Sequence, residues 1–260
     1  MRFLPHQART ALITNASLRA MILASMMVFA PDSAFSGIQL PTGMNKNERL
    51  EALRIIGLGT ASKILSDPYP LGGYTGFEAG YSLETFPADN LARLGRGITP
   101  PQQSTSLSRI TIGKGLYNNV DVFIQFTPYM RQDEIAQFGG ILRWGFYQAP
   151  FLPLSLSVLA HLNNSNIGAL LSTQTRGLDF VGGVDSGNIS VFAGAGLAES
   201  TGTFIGGPSS LTDTRYSETE YVSHFHTVIG TTLKFSNVFV SLQIDRYYLP
   251  VYSGKLGIHF

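Results

Sequence analysis

The stretch that decides the fold runs from Tyr247 to Phe260 and reads YYLPVYSGKLGIHF. Over its last nine residues, apolar or small side chains alternate with more polar ones. One face carries Tyr252, Gly254, Leu256, Ile258 and Phe260, and the other carries Ser253, Lys255, Gly257 and His259. This period of two predicts a strand with one apolar and one polar face. The unpaired edge of such a strand must be satisfied, and closing the sheet onto its first strand does so.

The same stretch resembles the C-terminal signature of Gram-negative outer-membrane β-barrels, in which alternating apolar residues precede a terminal Phe. The residues that carry the resemblance are Tyr252, Leu256, Ile258 and Phe260. The resemblance implies that the last strand is recognised by the barrel-assembly machinery. It also implies that outer-membrane lipids and lipopolysaccharide surround the protein.

The composition suits a sheet with lipid on one side and polar groups on the other. Apolar residues make up 44% of the 260-residue chain, but charged residues only 13%, about half the usual share in soluble domains. The chain has 28 glycines and no cysteine, which excludes disulfides and thiolate metal sites. Its net charge of +1 provides no basic field for nucleic acid. We therefore predict no cofactor and no nucleic-acid partner.

The first 36 residues have the pattern of an export signal. Arg2, Arg9 and Arg19 form a basic region, and 18–30 is a mostly apolar core that is too short to span a membrane stably. Small residues at Ala34 and Ser36 place the predicted cleavage after Ser36, although a short membrane anchor is the alternative. Cleavage of 36 from 260 residues leaves 224 and, by removing three arginines and one aspartate, changes the net charge from +1 to −1. No run of 18 apolar residues follows, which argues against a helical transporter.

Residues 37–71 differ from the rest of the mature chain and predict a short amphipathic helix. Asn45 or Asn47 can cap its start, and 67–70, Asp-Pro-Tyr-Pro, ends it. We predict a periplasmic position in which the helix packs at the barrel mouth. A helix on the membrane surface or inside the lumen is the alternative.

From residue 72 to residue 260, segments of period two recur and predict a closed antiparallel transmembrane β-barrel with about ten strands. Eight or twelve strands remain possible, because the sixth segment is weak. The predicted strands are 73–86, 107–116, 120–129, 135–148, 151–162, 167–176, 188–198, 221–235, 238–247 and 247–260.

The connection lengths are consistent with this strand count. Two long connections, 87–106 and 199–220, follow odd-numbered strands and therefore lie at one end of the barrel, whereas short turns follow strands two, four and eight. Long outer loops and short periplasmic turns are typical of these barrels. We expect both termini on the periplasmic side.

Aromatic residues near predicted strand ends favour girdles at the lipid–water boundary. They are Phe86, Tyr117, Tyr129, Trp144, Phe146, Tyr147, Phe151, Tyr221, Phe235, Tyr247, Tyr248 and Phe260.

Most charged side chains fall in the inward phase of the strands. A buried charge is costly unless it is paired, so we predict a polar network that fills the lumen, with a narrow mixed-charge pore as the alternative. The predicted network comprises Glu78, Glu84, Arg109, Asp121, Arg143, His161, Arg176, His224, His226, Lys234, Asp245 and Lys255; His259 shares their phase.

Three patterns are candidate sites of chemistry. His224 and His226 share a strand face and, with Asp245, could form a metal or acid–base site, but a clear third ligand is missing. His161 and Ser165 vaguely resemble the His–Ser site of outer-membrane lipid A deacylases. That family places the serine two residues after the histidine, where this chain has Asn163, and an Asn-Ser-Asn turn is the simpler interpretation.

An omptin-like protease site would need paired acids and an Asp–His couple at the outer rim, and Asp213, Asp179 and His224 are widely scattered in the sequence. We therefore predict a non-enzymatic outer-membrane barrel of structural or small-pore type. The alternatives are a hydrolase with a site at the extracellular rim and a soluble exported β-barrel that binds a lipid or small ligand. The oligomeric state is left open.

Overall fold

The computed structural model describes residues 38–96, 103–128, 135–207 and 210–260. The predicted signal peptide, Tyr129 and the middle of the first long connection lie outside these residues. No helix in the described part of the chain is long and apolar enough to cross a membrane.

Ten antiparallel strands form one closed barrel, in which each strand pairs with its neighbours in sequence and β1 pairs with β10. The predicted fold is therefore confirmed. The strands are β1 (Phe77–Pro87), β2 (Ser104–Gly115), β3 (Val120–Phe126), β4 (Ile135–Gln148), β5 (Leu154–Ile167), β6 (Leu171–Asp185), β7 (Ile189–Phe204), β8 (Glu218–Phe235), β9 (Val238–Arg246) and β10 (Pro250–His259).

The terminal strand closes the barrel in the register that its alternation requires. Ile258 pairs with Ala79 of β1. The backbones of Phe260 and Phe77 exchange two hydrogen bonds of 2.9 and 3.1 Å. The Phe260 side chain is 64% exposed on the outer face, whereas Lys255 is buried in the lumen. The closure leaves no free sheet edge between the first and last strands.

The two ends of the barrel differ in their connections, as the sequence predicts. The connections 88–103 and 205–217 lie at one end, which we call the long-loop end. The opposite, tight-turn end carries the short connections 116–119, 186–188 and 236–237.

The predicted position of the sixth strand is wrong. The chain turns at 168–170, with Gly168 at a φ of +52°, and β6 continues to Asp185. The side chains therefore have the opposite phase to the one predicted: Leu171 is buried in the lumen, and Arg176 points outward. The inward position of Leu171 is stable because it joins an apolar cluster inside the barrel.

A helix, α1 (Lys46–Gly59), lies inside the lumen at the long-loop end. Asn45 begins it with a capping box, in which Asn45 and Glu48 each accept from the other's backbone N–H. The helix packs so closely that a Cβ atom on Gly57 would lie 2.2 Å from Ser200 Oγ of β7. The prediction that the helix packs at the mouth of the tight-turn end is therefore wrong. The physical reason is that Leu53, Ile55, Ile56 and Leu58 are apolar side chains on more than one side of the helix, and the lumen covers all four to at most 2% exposure.

Residues 60–71 run down the lumen from α1 to the start of β1. Wall side chains bind the backbone along the way: Arg109 donates to the Thr60 carbonyl at 2.7 Å, and Arg143 to the Asp67 carbonyl at 2.6 Å. At the other end of the helix, Met44 forms a β-bridge with Thr212 in the second long connection. The segment before α1 and the last strand's end therefore lie at opposite ends of the barrel. For residues 38–44, the first described segment, the predicted position at the tight-turn end is wrong.

Two apolar clusters fill the lumen above and below a polar layer. The upper cluster surrounds α1, and the lower cluster surrounds Ile64. The wall residues of the lower cluster are Phe123, Ile141, Leu159, Val181, Phe192 and Val228. The barrel thus has an interior core of its own, to which α1 and 60–71 contribute the centre.

The aromatic side chains divide between the outer face and the core. Exposed aromatics concentrate towards the tight-turn end, where Trp144 lies 5.9 Å from Phe146. The group comprises Tyr74, Tyr117, Trp144, Phe146, Tyr147, Phe151, Phe235 and Phe260. The predicted girdle positions of Phe86 and Tyr247 are wrong, because both side chains are buried in the cluster around α1.

Truncating a buried side chain of α1 should destabilise the barrel more than truncating an equally large side chain on the outer face. We expect Leu53→Ala, at a fully buried position, to lower the free energy of unfolding by about 2–5 kcal/mol. The matched control is Leu197→Ala, at a position 59% exposed on the outer face, for which we expect a smaller loss. Urea unfolding in lipid vesicles measures both. Equal losses would contradict the placement of α1 in the core.

Candidate functional site

The site is the polar layer of the lumen. There residues 60–71, which we call the descending segment, meet the barrel wall. Lys63 lies at its centre and is 3.0 Å from Glu84 of β1, with both side chains at most 1% exposed. Its ammonium group also donates to the carbonyls of Gly59 and Ala61, at 3.1 and 2.9 Å. Arg109 of β2 lies 3.4 Å from the other oxygen of Glu84. One carboxylate thus balances two cations that are held in place by backbone carbonyls.

His226 forms the second half of this layer. Its Nδ1 lies 2.7 Å from Asp179 of β6, and its Nε2 lies 2.9 Å from Asp245 of β9. Ionised carboxylates only accept hydrogen bonds, so a ring that satisfies both carries two N–H groups and a positive charge. The ring also stacks on Tyr247 with a centroid distance of 3.9 Å. With His226 charged, the three cations and three carboxylates of the layer balance, as burial requires.

Further ion pairs lie nearer the tight-turn end. Asp121 is 2.8 Å from Arg143, and both are fully buried. Lys255 of the terminal strand is 2.5 Å from Glu78. Lys234 bridges Asp67 of the descending segment and Asp185 of β6. The first two pairs join neighbouring wall strands, and Lys234–Asp67 joins the segment 60–71 to the wall.

Neutral side chains of the wall satisfy the backbone of the descending segment, which has no strand beside it. Asn163 donates to the Thr60 carbonyl at 2.7 Å, and Gln125 to the Lys63 carbonyl at 2.5 Å. Ser157 donates to the Pro68 carbonyl at 2.5 Å. Buried carbonyls need such partners, so the polar inner face of the wall fits the segment that it surrounds.

Ten of the twelve residues predicted for the lumen network have inward side chains in these pairs or beside them. They are Glu78, Glu84, Arg109, Asp121, Arg143, His161, His226, Lys234, Asp245 and Lys255. His224 is half-buried at the rim, with its ring 5.8 Å from that of Tyr248. Arg176 departs from the prediction, because its side chain is 71% exposed on the outer face and pairs with Glu199.

The predicted lumen network lacks two central residues, Lys63 and Asp179. Lys63 lies in an irregular segment without periodicity, so no pattern placed it opposite Glu84. Asp179 was missed because the misplaced sixth strand ended before it. Correct alternation from Leu171 onward would have placed Asp179 on the inner face.

The predicted sites of chemistry are at most partly assembled. His226 and Asp245 lie 2.9 Å apart, whereas the His224 ring lies beside that of Tyr248. His161 and Ser165 lie within β5, which extends to Ile167, so the Asn-Ser-Asn turn hypothesis is wrong. Ser165 bonds to Thr60 and Asn163, while His161 lies 3.4 Å from Asp179. Asp213 pairs with Arg49 at the rim. In the described ranges, no group of three or more His, Asp or Glu side chains is arranged to hold a metal ion.

The cavities of the lumen are small. The space among His161, His226 and Gln243 is about 20 Å³, enough for about one water molecule. A larger space of about 200 Å³ opens at the tight-turn end beside Asp67, Lys234 and Phe260. The polar layer therefore lies beneath α1 in a filled lumen.

Removing one partner of a buried ion pair should cost more than removing both. We expect Lys255→Met to lower the free energy of unfolding by about 3–5 kcal/mol, because it leaves Glu78 buried and unpaired. The double variant K255M/E78Q should recover part of this loss. Guanidinium unfolding, followed by the fluorescence of the single tryptophan, measures the cycle. Simple additivity of the two single losses would contradict the pairing.

Comparisons with known proteins give structural likeness without a sequence family. No protein-family model matches the chain, and no curated protein matches it. Solved structures of similar fold include the N-terminal β-barrel domain of Pseudomonas aeruginosa OprF (12% identity, 72% of this chain and 99% of that chain, TM-score 0.37). They also include Ail of Yersinia pestis with a heparin analogue (14% identity, 71% and 97%, TM-score 0.30) and Neisserial surface protein A (9% identity, 71% and 96%, TM-score 0.30). The chain is a closed antiparallel barrel, and these similarities concern the fold alone.

Proposed function

We propose that the protein is an integral barrel of the bacterial outer membrane, structural and non-enzymatic, whose lumen is closed by its own N-terminal segment. Its outer face supports the membrane location. Large apolar side chains alternate outward around the barrel and remain 40–60% exposed, including Ile124, Leu142, Val191 and Ile229. In water such a surface would favour association, whereas in a bilayer it contacts lipid.

The observation that carries the closed lumen is the continuous filling by α1 and 60–71. The second half of the helix, from Ile55 to Gly59, is buried. The descending segment is bonded to the wall through the polar layer down to Leu71, whose N–H donates to Asp121. An open pore needs a continuous water path, and this segment occupies it. The structural type is therefore the better supported of the two predicted types.

The hydrolase alternative lacks a comparable observation. Catalysis by a serine requires a base within hydrogen-bond reach of the nucleophile. In the described residues, the hydrogen bonds and ion pairs of His226 go to carboxylates, and those of Ser165 to Thr60 and Asn163. The cluster also lies beneath α1, where a rim substrate has no access. The soluble alternative conflicts with the apolar outer face.

The orientation follows from the ends of the barrel. Barrels of this type place short turns in the periplasm and long loops outside. The tight-turn end, with Phe260, then faces the periplasm, and residues 38–45 lie at the outer surface. In this orientation, residues 38–71 run from the outer surface into the lumen.

Conductance tests the closed lumen. We expect the purified full chain, inserted in a planar bilayer, to give no stable current above background, with an open porin prepared in the same way as the positive control. Folded insertion is checked by heat-modifiable migration on a gel. Stable channels from the inserted protein would contradict the proposal, and recovery in the soluble periplasm would contradict the membrane location.

Surface labelling tests the orientation, since the chain has no native cysteine. We expect a membrane-impermeant maleimide to label Lys46→Cys on intact cells, because Lys46 is exposed at the start of α1. Tyr216→Cys in the second long connection is the matched control and should also react. Asn237→Cys in a tight turn should react only after lysis. Labelling of N237C but not of K46C on intact cells would contradict the orientation.

A further inference from the structure

The outer face of β5–β8 ends in a polar surface above the apolar belt at the long-loop end. The four strands are the tallest part of the wall, with lengths of 14 to 18 residues. We call this surface the polar panel. It consists of Asn164, Asn166, Ser172, Gln174, Arg176, Glu199, Thr201, Thr203, Thr219, Tyr221 and Ser223.

Strand register orders the panel into rows across neighbouring strands. The last apolar row is Leu178, Leu197 and Phe225, which are paired and 47–59% exposed. Two residues further along each strand, the row Arg176, Glu199 and Ser223 begins the panel. The row above it contains Asn164, Gln174, Thr201 and Tyr221, and the top row contains Asn166, Ser172, Thr203 and Thr219. On β6, β7 and β8 the change from apolar to polar is therefore complete within one row. On β5 it comes one row later, because Leu162, which pairs with Arg176, is apolar and 45% exposed.

The side chains of the panel hold one another in place. Arg176 contacts Glu199 through two nitrogens at 3.0 and 2.9 Å, and Tyr221 lies one row above this pair on the neighbouring strand β8. Gln174 donates to the Asn164 side chain at 3.2 Å. Their backbones belong to a rigid sheet, so these groups are pre-ordered for a ligand. The exposed Tyr221 ring supplies an aromatic surface beside them.

The chemistry of the panel selects among ligand classes. A phosphate group needs an uncompensated cation, but Glu199 already pairs with Arg176. A protein partner needs several aromatic or aliphatic side chains that become buried on binding. In the panel, Tyr221 is the only side chain of this kind. A sugar presents many neutral donors and acceptors and an apolar ring face, which match the amides, the hydroxyls and the tyrosine ring.

We propose that the polar panel is a binding site for neutral sugar residues of outer-leaflet glycolipid, with Tyr221 stacking on a sugar ring and the Glu199–Arg176 pair and Gln174 bonding to its hydroxyls. The inference rests on the proposed function, because the panel meets the sugars only if its end of the barrel faces outward. The first row lies directly beyond the apolar belt, at the level where the sugars of a glycolipid begin.

The test measures binding of soluble core oligosaccharide, released from lipopolysaccharide, to the full chain in phospholipid nanodiscs. We expect Tyr221→Ala to weaken the affinity about tenfold or more, the effect of losing a stacking contact and a hydrogen bond. The matched control is Tyr252→Ala. Tyr252 is 54% exposed on the outer face of β10 at the same end, against 52% for Tyr221, but lies outside the panel. Its loss should change the affinity less than twofold.

A second arm identifies the source of the contact. Nanodiscs that contain lipopolysaccharide with its core sugars should protect the barrel from thermal unfolding more than nanodiscs with lipid A alone, and Y221A should remove the difference. Absence of oligosaccharide binding to the inserted wild-type protein, equal losses in Y221A and Y252A, or equal protection by both lipids would overturn the site. Failure to insert into nanodiscs would instead overturn the proposed function.

Discussion

The structure depends on one constraint: charges on the inner wall of a closed barrel have little water and must find partners inside it. The segment 60–71 supplies many of these partners. Lys63 forms an ion pair with Glu84. The carbonyls of Thr60 and Ala61 accept hydrogen bonds from Arg109, and the carbonyl of Asp67 accepts one from Arg143. In return, the wall satisfies a backbone that has no strand neighbour. Neither component is complete alone, because the empty wall would leave charges unpaired and the free segment would leave carbonyls unbonded.

The apolar helix follows from the same constraint. At the long-loop end the inner wall carries large apolar side chains, with Phe86, Leu171 and Phe204 at most 1% exposed, and α1 fills the space that they enclose. The barrel therefore has lipid-type apolar surface outside and a small globular core within, separated by strands whose side chains alternate. This arrangement explains why a chain with few charges still carries a dense set of buried ion pairs. It also limits function: a lumen built as a core is suited to rigidity, and contacts with other molecules are left to the outer face and the rim.

Much of the barrel could be predicted from local pattern, because alternation, turns and connection lengths are properties of each segment. The closure of β10 on β1, the inward position of Lys255 and the bounds of β4 all follow from such patterns. The lumen segment could not be predicted in this way. Lys63 has no periodic neighbours, and its pairing with Glu84 joins residues whose distance depends on the whole fold. Likewise, the apolar faces of Phe86, Leu171 and Tyr247 read as lipid-facing or girdle positions until α1 is known to lie inside. The error in β6 arose from the short turn at Gly168, since a shift of one residue reverses the phase of every later side chain.

The central claim is that residues 46–71 form part of the barrel interior. A disulfide crosslink tests this position directly. Thr60 Oγ1 of the lumen segment lies 3.2 Å from Ser165 Oγ of the wall, so T60C/S165C should form a disulfide on mild oxidation of the membrane-inserted protein. The wall pair Thr175 and Ser200, whose hydroxyls are 2.8 Å apart, is the control and should crosslink as T175C/S200C. Crosslinking of both pairs is the predicted result. Crosslinking of the wall pair alone would contradict the account, because the segment would then lie outside the lumen.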